Sequence, residues 1–318
     1  MEVDFGFIGL GAMGWEMAKN VRNKIPSSSK LYVNDVYKPF CVNFVKEFGH
    51  VGPIEIVDSA RLVAEKAKVI ISIVPAATHV QDVYLNEETG IIAAQKIPTR
   101  LMLECSTIDS ETTRLVGNKL NAAGAGTYID TPVSGGVPGA AAGTLAFLVG
   151  SAEPSTHAKT DTSDLLQNTI LLMGSPEKIF YCGALGSGLA AKIANNYLSG
   201  TNLLAAAEAM NIGIRLGVDK HLLYKVIHNS TGQSFMNDNV HPVPGVVPHA
   251  PSSRDYAGGF KAQMMVKDMS LGVNAAQQVG CRATLGSAAL ELYKEASVDP
   301  RCMDRDVSVV YRFLDGPE

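Results

Sequence analysis

The stretch that decides the fold is VDFGFIGLGAMGWEMAKN, at residues 3–20. An apolar run typical of a buried strand leads into Gly9, Gly11 and Gly14, and a helical segment follows. In this G-x-G-x-x-G spacing, the first glycine permits a tight turn and the second lets a pyrophosphate approach the backbone. The third allows the helix to pack closely on the strand, and the helix N-terminus offers N–H groups to phosphates. The stretch therefore predicts a Rossmann-type dinucleotide site.

An acidic residue follows at the position where such a site binds the ribose. Asp35 ends the strand-like run KLYVND, about 20 residues after Gly14. Its carboxylate can accept hydrogen bonds from both ribose hydroxyls and would repel a 2′-phosphate. No arginine stands beside it to neutralise such a phosphate, although Lys38 is close enough to compete. The sequence therefore predicts NAD rather than NADP as the cofactor.

Secondary-structure patterns divide the chain into two parts. Strand-like runs alternate with helical segments as far as Gly183, which is typical of a doubly wound α/β sheet. We therefore predict a Rossmann-type, mainly parallel NAD-binding domain over residues 1–183 and an all-α substrate and oligomerisation domain over 184–318. The proline-rich segment 241–253 is predicted to be an ordered loop between helices. The predicted strands are VDFGFIG, KLYVND, KVIISIVP, RLMLEC, AGTYIDTPV, LAFLVG and KIFYCG, and the predicted long helices cover 187–216, 219–231, 260–279 and 283–296.

Composition excludes several classes of protein. Apolar residues make up 46% of the chain and charged residues 18%, as in a compact folded protein. A net charge of −4 argues against binding to nucleic acids or anionic membranes. The five cysteines lack the spacing of a disulfide framework or a zinc site, which indicates a reducing compartment. Polar residues interrupt the longest apolar stretch, 189–214, so we expect a helix buried in protein rather than a membrane span.

Two further strand ends should face the same crevice as the glycines. These strand ends are Val74–Pro75 and Ser106–Thr107. We expect them there because ligands of open α/β sheets bind at the carboxyl edge of the strands. A turn proline and an N-capping hydroxyl are equally common for structural reasons alone. The residues themselves leave both interpretations open.

A second group of residues is suited to binding a small substrate that carries a carboxylate. Ser134, Gly135 and Gly136 follow a predicted strand and offer a hydroxyl beside open backbone amides, although a flexible turn is an equally good interpretation. Lys192 and Asn196 share one helix face, and burying that lysine is costly unless it is paired or used. An ordinary surface lysine is the alternative. The pair Lys267–Asp268 is typical of a solvated helix face.

Together these residues resemble the β-hydroxyacid dehydrogenase family over nearly the whole chain. The motifs are GFIGLGAMG at 6–14, ECSTID at 104–109, DTPVSGGVPGAAAGTL at 130–145, YCGALGSGLAAKIANN at 181–196, EAMNIGIRLG at 208–217, HPVPGV at 241–246 and GGFKAQMMVKDMSL at 258–271. The departures are His241 at the start of the HPVPGV loop, the extra PSSS tract at 26–29, and Trp15 after the glycines.

The resemblance implies a reaction and its residues. Ser134, Gly135 and Gly136 would hold the substrate carboxylate, Lys192 would be the catalytic acid/base, and Asn196 would orient the substrate or the lysine. Thr107 and Lys267 would contact the nicotinamide side of the cofactor. The remaining cofactor residues are Gly9, Leu10, Gly11, Ala12, Met13, Gly14, Asp35, Val74 and Pro75.

The implied activity is NAD-dependent oxidation of 3-hydroxyisobutyrate to methylmalonate semialdehyde, a step in valine breakdown. It needs no metal, and the family implies a homodimer or homotetramer. The mitochondrial matrix is the compartment that the family suggests for a soluble intracellular enzyme, with the cytoplasm as the alternative. The first strand starts almost at the initiator Met, so we expect no transit segment in this chain; a targeting sequence is either absent or was removed.

Other functions fit parts of the same pattern. A reductase of tartronate or succinate semialdehyde would share Lys192 and the SGG motif, but Asp35 and the HPVPGV loop argue against it. Imine reductases usually lack a lysine at the position of Lys192, and a 6-phosphogluconate dehydrogenase would have a much longer helical domain. A non-catalytic NAD-binding scaffold is the alternative from another class, and the presence of Lys192 argues against it.

Overall fold

The computed structural model describes residues 3–154 and 161–318. The chain forms two compact units, Met1–Lys192 and Ile193–Glu318. The predicted division after residue 183, and the roles assigned to its two parts, stay predictions.

The first unit is built on six parallel strands. These are β1 (Phe5–Ile8), β2 (Leu31–Asn34), β3 (Ile54–Ile56), β4 (Val69–Ser72), β5 (Leu101–Glu104) and β6 (Thr127–Asp130), in the spatial order β3-β2-β1-β4-β5-β6. The connecting helices are α1 (Ala12–Lys24), α2 (Lys38–Phe48), α3 (Ala60–Lys66), α4 (Ala77–Leu85) and α5 (Ser110–Ala122). The order reverses between β1 and β4, the point where doubly wound sheets bind ligands beyond the carboxyl ends of their strands. The predicted Rossmann-type fold is confirmed.

Burial on both faces of the sheet explains the uninterrupted apolar runs of the central strands. All four residues of β1, β4 and β5 are buried. Along β4, Val69 and Ile71 pack into one hydrophobic cluster and Ile70 into the other. Alternate side chains therefore enter two separate cores, one on each face, so no polar alternation is present in the sequence.

A second, three-stranded sheet completes this unit. It contains β7 (Val133–Ser134), β8 (Leu145–Val149) and β9 (Gly174–Tyr181), and the helices α6 (Gly136–Ala142) and α7 (Asp161–Leu171) accompany it. Strands β7 and β8 are antiparallel, and β8 and β9 are parallel. The run AGTYIDTPV, predicted as one strand, is divided at Thr131–Pro132 between β6 and β7, because proline has no N–H to donate to a ladder.

Strand β3 is absent from the predicted strands. It contains only three residues, follows Pro53 and lies at the edge of the sheet, with none of its residues fully buried. Its residues, Ile-Glu-Ile, alternate between apolar and polar, but three residues are too few for that alternation to indicate a strand.

The second unit is helical. Its elements are the greater part of α8 (Ser187–Arg215), then α9 (Lys220–His228), α10 (Phe235–Asn239), α11 (Ala262–Gln278), α12 (Thr284–Val298) and α13 (Val310–Phe313). No strand follows β9 in the part of the chain that the structure describes. The predicted all-α C-terminal region and its four long helices are confirmed. None of the helices within the described ranges is both long enough and apolar enough to cross a bilayer.

The proline-rich loop 241–253 is ordered, as predicted. His241 is fully buried, and its Nδ1 lies 2.9 Å from the backbone oxygen of Asn237. The Ser252 hydroxyl donates to the backbone oxygen of His241, and the Tyr256 hydroxyl to that of Pro242. Burial lowers the pKa of His241 to about 4, so the ring is neutral at pH 7 and packs as an uncharged part of the loop.

Candidate active site

Glycine occupies each of the three motif positions in the first loop for a different steric reason. Gly9 has a φ of +94°, and a Cβ there would lie 2.1 Å from the backbone oxygen of Ile73. A Cβ on Gly14 would lie 1.9 Å from the backbone oxygen of Gly9, whereas a Cβ on Gly11 would meet nothing within 4 Å. Chain packing thus requires glycine at two positions, while the third faces open space where a ligand can approach.

The start of helix α1 has the features of a phosphate site. Gly11 is its N-cap, so no side chain caps the first N–H groups, and the first turn holds no acidic residue. The unused N–H groups and the positive end of the helix dipole favour an anion at this point. These residues fit the pyrophosphate of a dinucleotide.

The carboxylate of Asp35 is fixed beside this loop. Its Oδ2 accepts a hydrogen bond from the N–H of Leu10 at 2.6 Å, and its Oδ1 accepts one from the N–H of Tyr37 at 2.7 Å. Lys38, the residue that could have favoured NADP, places its Nζ 3.2 Å from Oδ1 of Asp58. That pair is exposed and therefore weak, but it gives the ammonium a carboxylate partner other than Asp35.

A buried carboxyl group joins the loops that follow β4 and β5. The N–H of Val74 donates to Oγ of Ser106 at 2.7 Å. Ser106 in turn donates both its hydroxyl and its N–H, the latter at 3.0 Å, to Oε1 of Glu104. Burial raises the pKa of Glu104 to about 7. Glu104 is not among the predicted site residues, although its position at a strand end before Ser106 was a usable signal.

Asp130 holds the start of the helix that carries Lys192. It is fully buried at the end of β6, where Oδ1 accepts the N–H of Gly186 at 2.7 Å and Oδ2 accepts that of Leu189 at 2.9 Å. Burial raises the pKa of its carboxyl group, and these backbone hydrogen bonds oppose the rise. A Cβ on Gly150 would lie 1.8 Å from Oδ1 of Asp130, so glycine makes room for the carboxylate. This role of Asp130 was not predicted from the sequence.

The predicted carboxylate loop contains two positions with positive φ angles. Ser134 ends β7, and Gly135 and Gly136 follow with φ values of +135° and +61°. Side chains rarely tolerate such angles, so these glycines are required by the backbone. Helix α6 begins at Gly136 and is held by Nδ2 of Asn20, on α1, which donates to the backbone oxygen of Ala140 at 2.7 Å. The loop is therefore an ordered turn with exposed glycines.

Lys192 is buried, with 7% of its surface exposed, so the surface-lysine interpretation is wrong. Asn196 follows it by four residues on α8, and its Nδ2 donates to Oδ2 of Asp268 at 2.6 Å. Asp268 is 4% exposed, and Nζ of Lys267 lies 3.6 Å from its Oδ1. The solvated face predicted for Lys267–Asp268 is therefore wrong for Asp268, which is a buried partner of Asn196.

Family models match both parts of the chain. The model for the NAD binding domain of 6-phosphogluconate dehydrogenase matches residues 4–170. The model described as NAD-binding of NADP-dependent 3-hydroxyisobutyrate dehydrogenase matches residues 186–314.

Curated relatives give the more specific comparison. The human protein named 3-hydroxyisobutyrate dehydrogenase, mitochondrial, is 38% identical over 309 residues, which cover 97% of this chain and 86% of the relative. The chain belongs to the 3-hydroxyisobutyrate dehydrogenase family. The bacterial 3-hydroxyisobutyrate dehydrogenase of Pseudomonas aeruginosa is 37% identical over 317 residues, with 99% of each chain covered.

A solved structure agrees with this assignment to the 3-hydroxyisobutyrate dehydrogenase family. The Mycobacterium tuberculosis 3-hydroxyisobutyrate dehydrogenase, determined with L-serine, superposes with a TM-score of 0.85 at 32% identity, and 99% of each chain is covered. The predictions of an NAD-binding oxidoreductase and of its family are confirmed. The roles of individual site residues stay predictions.

The cap that Asp130 provides gives a testable expectation. Asp130→Ala removes the acceptors of two buried N–H groups, so we expect the free energy of unfolding to fall by about 2–4 kcal/mol. The start of α8 should fray, and kcat should fall at least about tenfold because a misplacement of the helix displaces Lys192. Denaturant titration and steady-state kinetics measure these effects.

Asp109→Ala is the matched control, since Asp109 caps α5 by accepting the N–H of Thr112 at 2.7 Å. It should cost about 1 kcal/mol and leave kcat unchanged. An Asp130→Ala enzyme with the kcat of the unsubstituted protein would contradict the assigned role.

Proposed function

We propose that the protein catalyses the NAD-dependent oxidation of 3-hydroxyisobutyrate to methylmalonate semialdehyde, a step in valine breakdown. The observation that carries the proposal is the burial of Lys192 in a helix whose first turn is fixed by Asp130. A buried amine on a fixed helix is suited to proton transfer. The human and P. aeruginosa relatives, which carry the name of this activity, support the choice of substrate.

The substrate carboxylate binds at the turn after β7. The hydroxyl of Ser134 and the N–H groups of Gly135 and Gly136 are the donors, and exposure of both glycines leaves the backbone accessible. Successive backbone N–H groups in a turn can form a concave site for an anion, and both glycines lie in the turn between β7 and α6. This part of the site selects for a carboxylate and leaves the alcohol end of the substrate to Lys192.

Lys192 acts at the reacting oxygen. Its amine takes the proton of the substrate hydroxyl as the neighbouring C–H bond breaks, and in the reverse direction the ammonium returns that proton. Bound NAD supplies the acceptor for the hydride. Asn196 orients the substrate or the lysine, and the hydrogen bond to Asp268 keeps its amide in one orientation. Asp268 is thus a positioning residue for Asn196.

The cofactor residues follow from the glycine loop and the strand ends. Segment 9–14 holds the pyrophosphate at the N-terminus of α1, and Asp35 accepts the ribose hydroxyls and repels a 2′-phosphate. Val74 and Pro75, in the loop after β4, contact the cofactor. Thr107 and Lys267 contact the nicotinamide side. Asp35 is the basis for proposing NAD rather than NADP.

We also propose that the enzyme is a homodimer or homotetramer and works in the mitochondrial matrix. The family resemblance supports an oligomer, and the human relative's name includes the word mitochondrial. Light scattering on the purified protein should give two or four times the mass of the chain, which is 33.7 kDa. A monomer would contradict the proposed assembly, and recovery in the cytosolic fraction of cells would contradict the compartment.

A panel of short hydroxyacids with NAD and NADP tests substrate and cofactor together. We expect the highest kcat/KM with 3-hydroxyisobutyrate and NAD. Oxidation of 2-methylpropan-1-ol should be at least about tenfold slower, because a methyl group replaces the carboxylate that the Ser134 turn binds. The panel includes L-serine, which the mycobacterial relative was determined with, and glycerate and 4-hydroxybutyrate.

The last two compounds are the reduced forms of tartronate and succinate semialdehyde. A higher kcat/KM for either would reject the named substrate and favour the corresponding reductase. A higher kcat/KM with NADP than with NAD would reject the role given to Asp35.

The acid/base role is tested by Lys192→Ala. We expect kcat to fall by about 10²–10⁴, the usual contribution of a positioned acid or base, while the Kd of NAD stays within about twofold. Lys220→Ala is the control, because Lys220 is a lysine in a helix whose amine makes a hydrogen bond, to the backbone oxygen of Pro244 at 3.0 Å, but it has no assigned role. If Lys192→Ala retained the kcat of the Lys220→Ala control, the proton transfer would have to be reassigned.

A further inference from the structure

Glu104 is a buried acid that the proposed reaction does not use. It ends β5, with Ser72 of β4 and Asp130 of β6 paired to it on either side, so all three lie at the carboxyl edge of the sheet. All three side chains are fully buried. Burying a carboxyl group is costly, which raises the question of what this one does.

The hydrogen bonds of Glu104 lead directly to two loops. Its Oε1 accepts the hydroxyl and the N–H of Ser106, and Oγ of Ser106 accepts the N–H of Val74 at 2.7 Å. Val74 precedes Pro75, and Ser106 precedes Thr107. One carboxyl oxygen therefore links the two loops to which we have assigned cofactor contacts.

We propose that Glu104 is a positioning residue for NAD that holds the loops after β4 and β5 in their binding arrangement. The protein then binds NAD more tightly when Glu104 is ionised. The proposal rests on the placement of Val74, Pro75 and Thr107 in the proposed cofactor site. A charged acceptor forms stronger hydrogen bonds than a neutral one, so ionised Glu104 fixes Ser106 and Val74 more firmly. Loops that are already ordered in the free protein lose less conformational entropy when NAD binds.

The surroundings of Glu104 support a change of charge near neutral pH. Burial raises its pKa to about 7, and its hydrogen bonds to Ser106 and Ser72 oppose a larger rise. Its Oε2 is buried and accepts no hydrogen bond from the described residues, which makes it the oxygen to be protonated. Protonation there leaves Oε1 as a neutral, weaker acceptor for Ser106.

Among the residues that the structure describes, four other titratable groups face this carboxyl group. Burial raises the pKa values of Tyr84 on α4, Tyr128 on β6 and the neighbouring Cys105, so these three stay neutral between pH 6 and 8. Asp130 on β6 is a second acid with a pKa raised by burial, and its charge raises that of Glu104. A substitution at Glu104 alone separates the two carboxyl groups.

The sign of the effect follows from linkage. If NAD binds the ionised form more tightly, the Kd of NAD rises as the pH falls through about 7. By reciprocity, binding of NAD must lower the pKa of Glu104 and release protons near pH 7. Proton release and the Kd are therefore two independent measurements of the same coupling.

Isothermal titration of NAD into the protein, without substrate, is the test. For the unsubstituted protein we expect the Kd to increase roughly three- to tenfold between pH 8 and pH 6, the difference between charged and neutral hydrogen bonds. Glu104→Gln keeps the size and one acceptor oxygen but no charge. It should show the weaker Kd at both pH values and release no proton at pH 7, as judged from buffers of different ionisation enthalpy.

Asp109→Asn is the matched control, because it removes a carboxylate from the same loop and leaves the link between Glu104 and Val74 intact. It should keep the pH dependence of the unsubstituted protein. A second variant, Ser106→Ala, breaks the link while retaining the acid, so it should weaken NAD binding at both pH values. It should also speed hydrogen exchange of the Val74 amide in the cofactor-free protein.

The outcomes separate this inference from the proposed function. A Glu104→Gln protein with the Kd and pH dependence of the unsubstituted one would overturn the positioning role, while leaving the NAD-dependent activity in place. Unchanged exchange at Val74 in Ser106→Ala would overturn it as well. If the unsubstituted protein bound no NAD, the proposed function would fail together with this inference.

Discussion

The hydrogen bonds that Asp130 accepts from the first turn of α8 are the constraint on which the site depends. They join the end of a buried strand to the start of the helix that carries Lys192. A carboxylate at a helix N-terminus satisfies N–H groups that have no partner within the helix and interacts favourably with its dipole. Gly150 and Gly188 leave space for it, since a Cβ on either would come within 3 Å of its oxygens. The position of the lysine is therefore set by the sheet.

Much of the fold could be predicted from local patterns. The apolar runs of β4 and β5, the glycine spacing before α1 and the long helical segments after Gly183 all reflect interactions within a few residues. Strand β3 and the break between β6 and β7 were not predicted. Their signals are short, because β3 has three residues and Pro132 interrupts an otherwise continuous strand pattern. Elements of two or three residues depend on the neighbours to which they pair.

Only some of the residues of the site could be predicted from the sequence. Motif residues such as Ser134 and Lys192 could be named, but the acids that hold them or their neighbours could not. Glu104, Asp130 and Asp268 are all buried, whereas an acid is expected to be solvated unless it is paired. Asp130 is bonded to backbone N–H groups and Asp268 to Asn196, 72 residues away in the chain, and no local side-chain pattern reveals such pairs. Glu104 has a partner close in sequence, Ser106, but the sequence shows the two only as neighbouring polar residues. Three-dimensional pairing was needed to distinguish these acids from surface ones.

Gly11 differs in kind from the glycines on either side of it. Gly9 and Gly14 are fixed by contacts of the chain with itself, whereas a side chain at position 11 would meet no protein atom. No contact within the protein requires glycine there, so the proposed approach of the pyrophosphate is the remaining reason for it. A substitution at Gly9 or Gly14 would therefore disturb both the packing of the chain and the binding of the cofactor. A substitution at Gly11 would alter the proposed affinity for the cofactor and leave the packing of the chain intact.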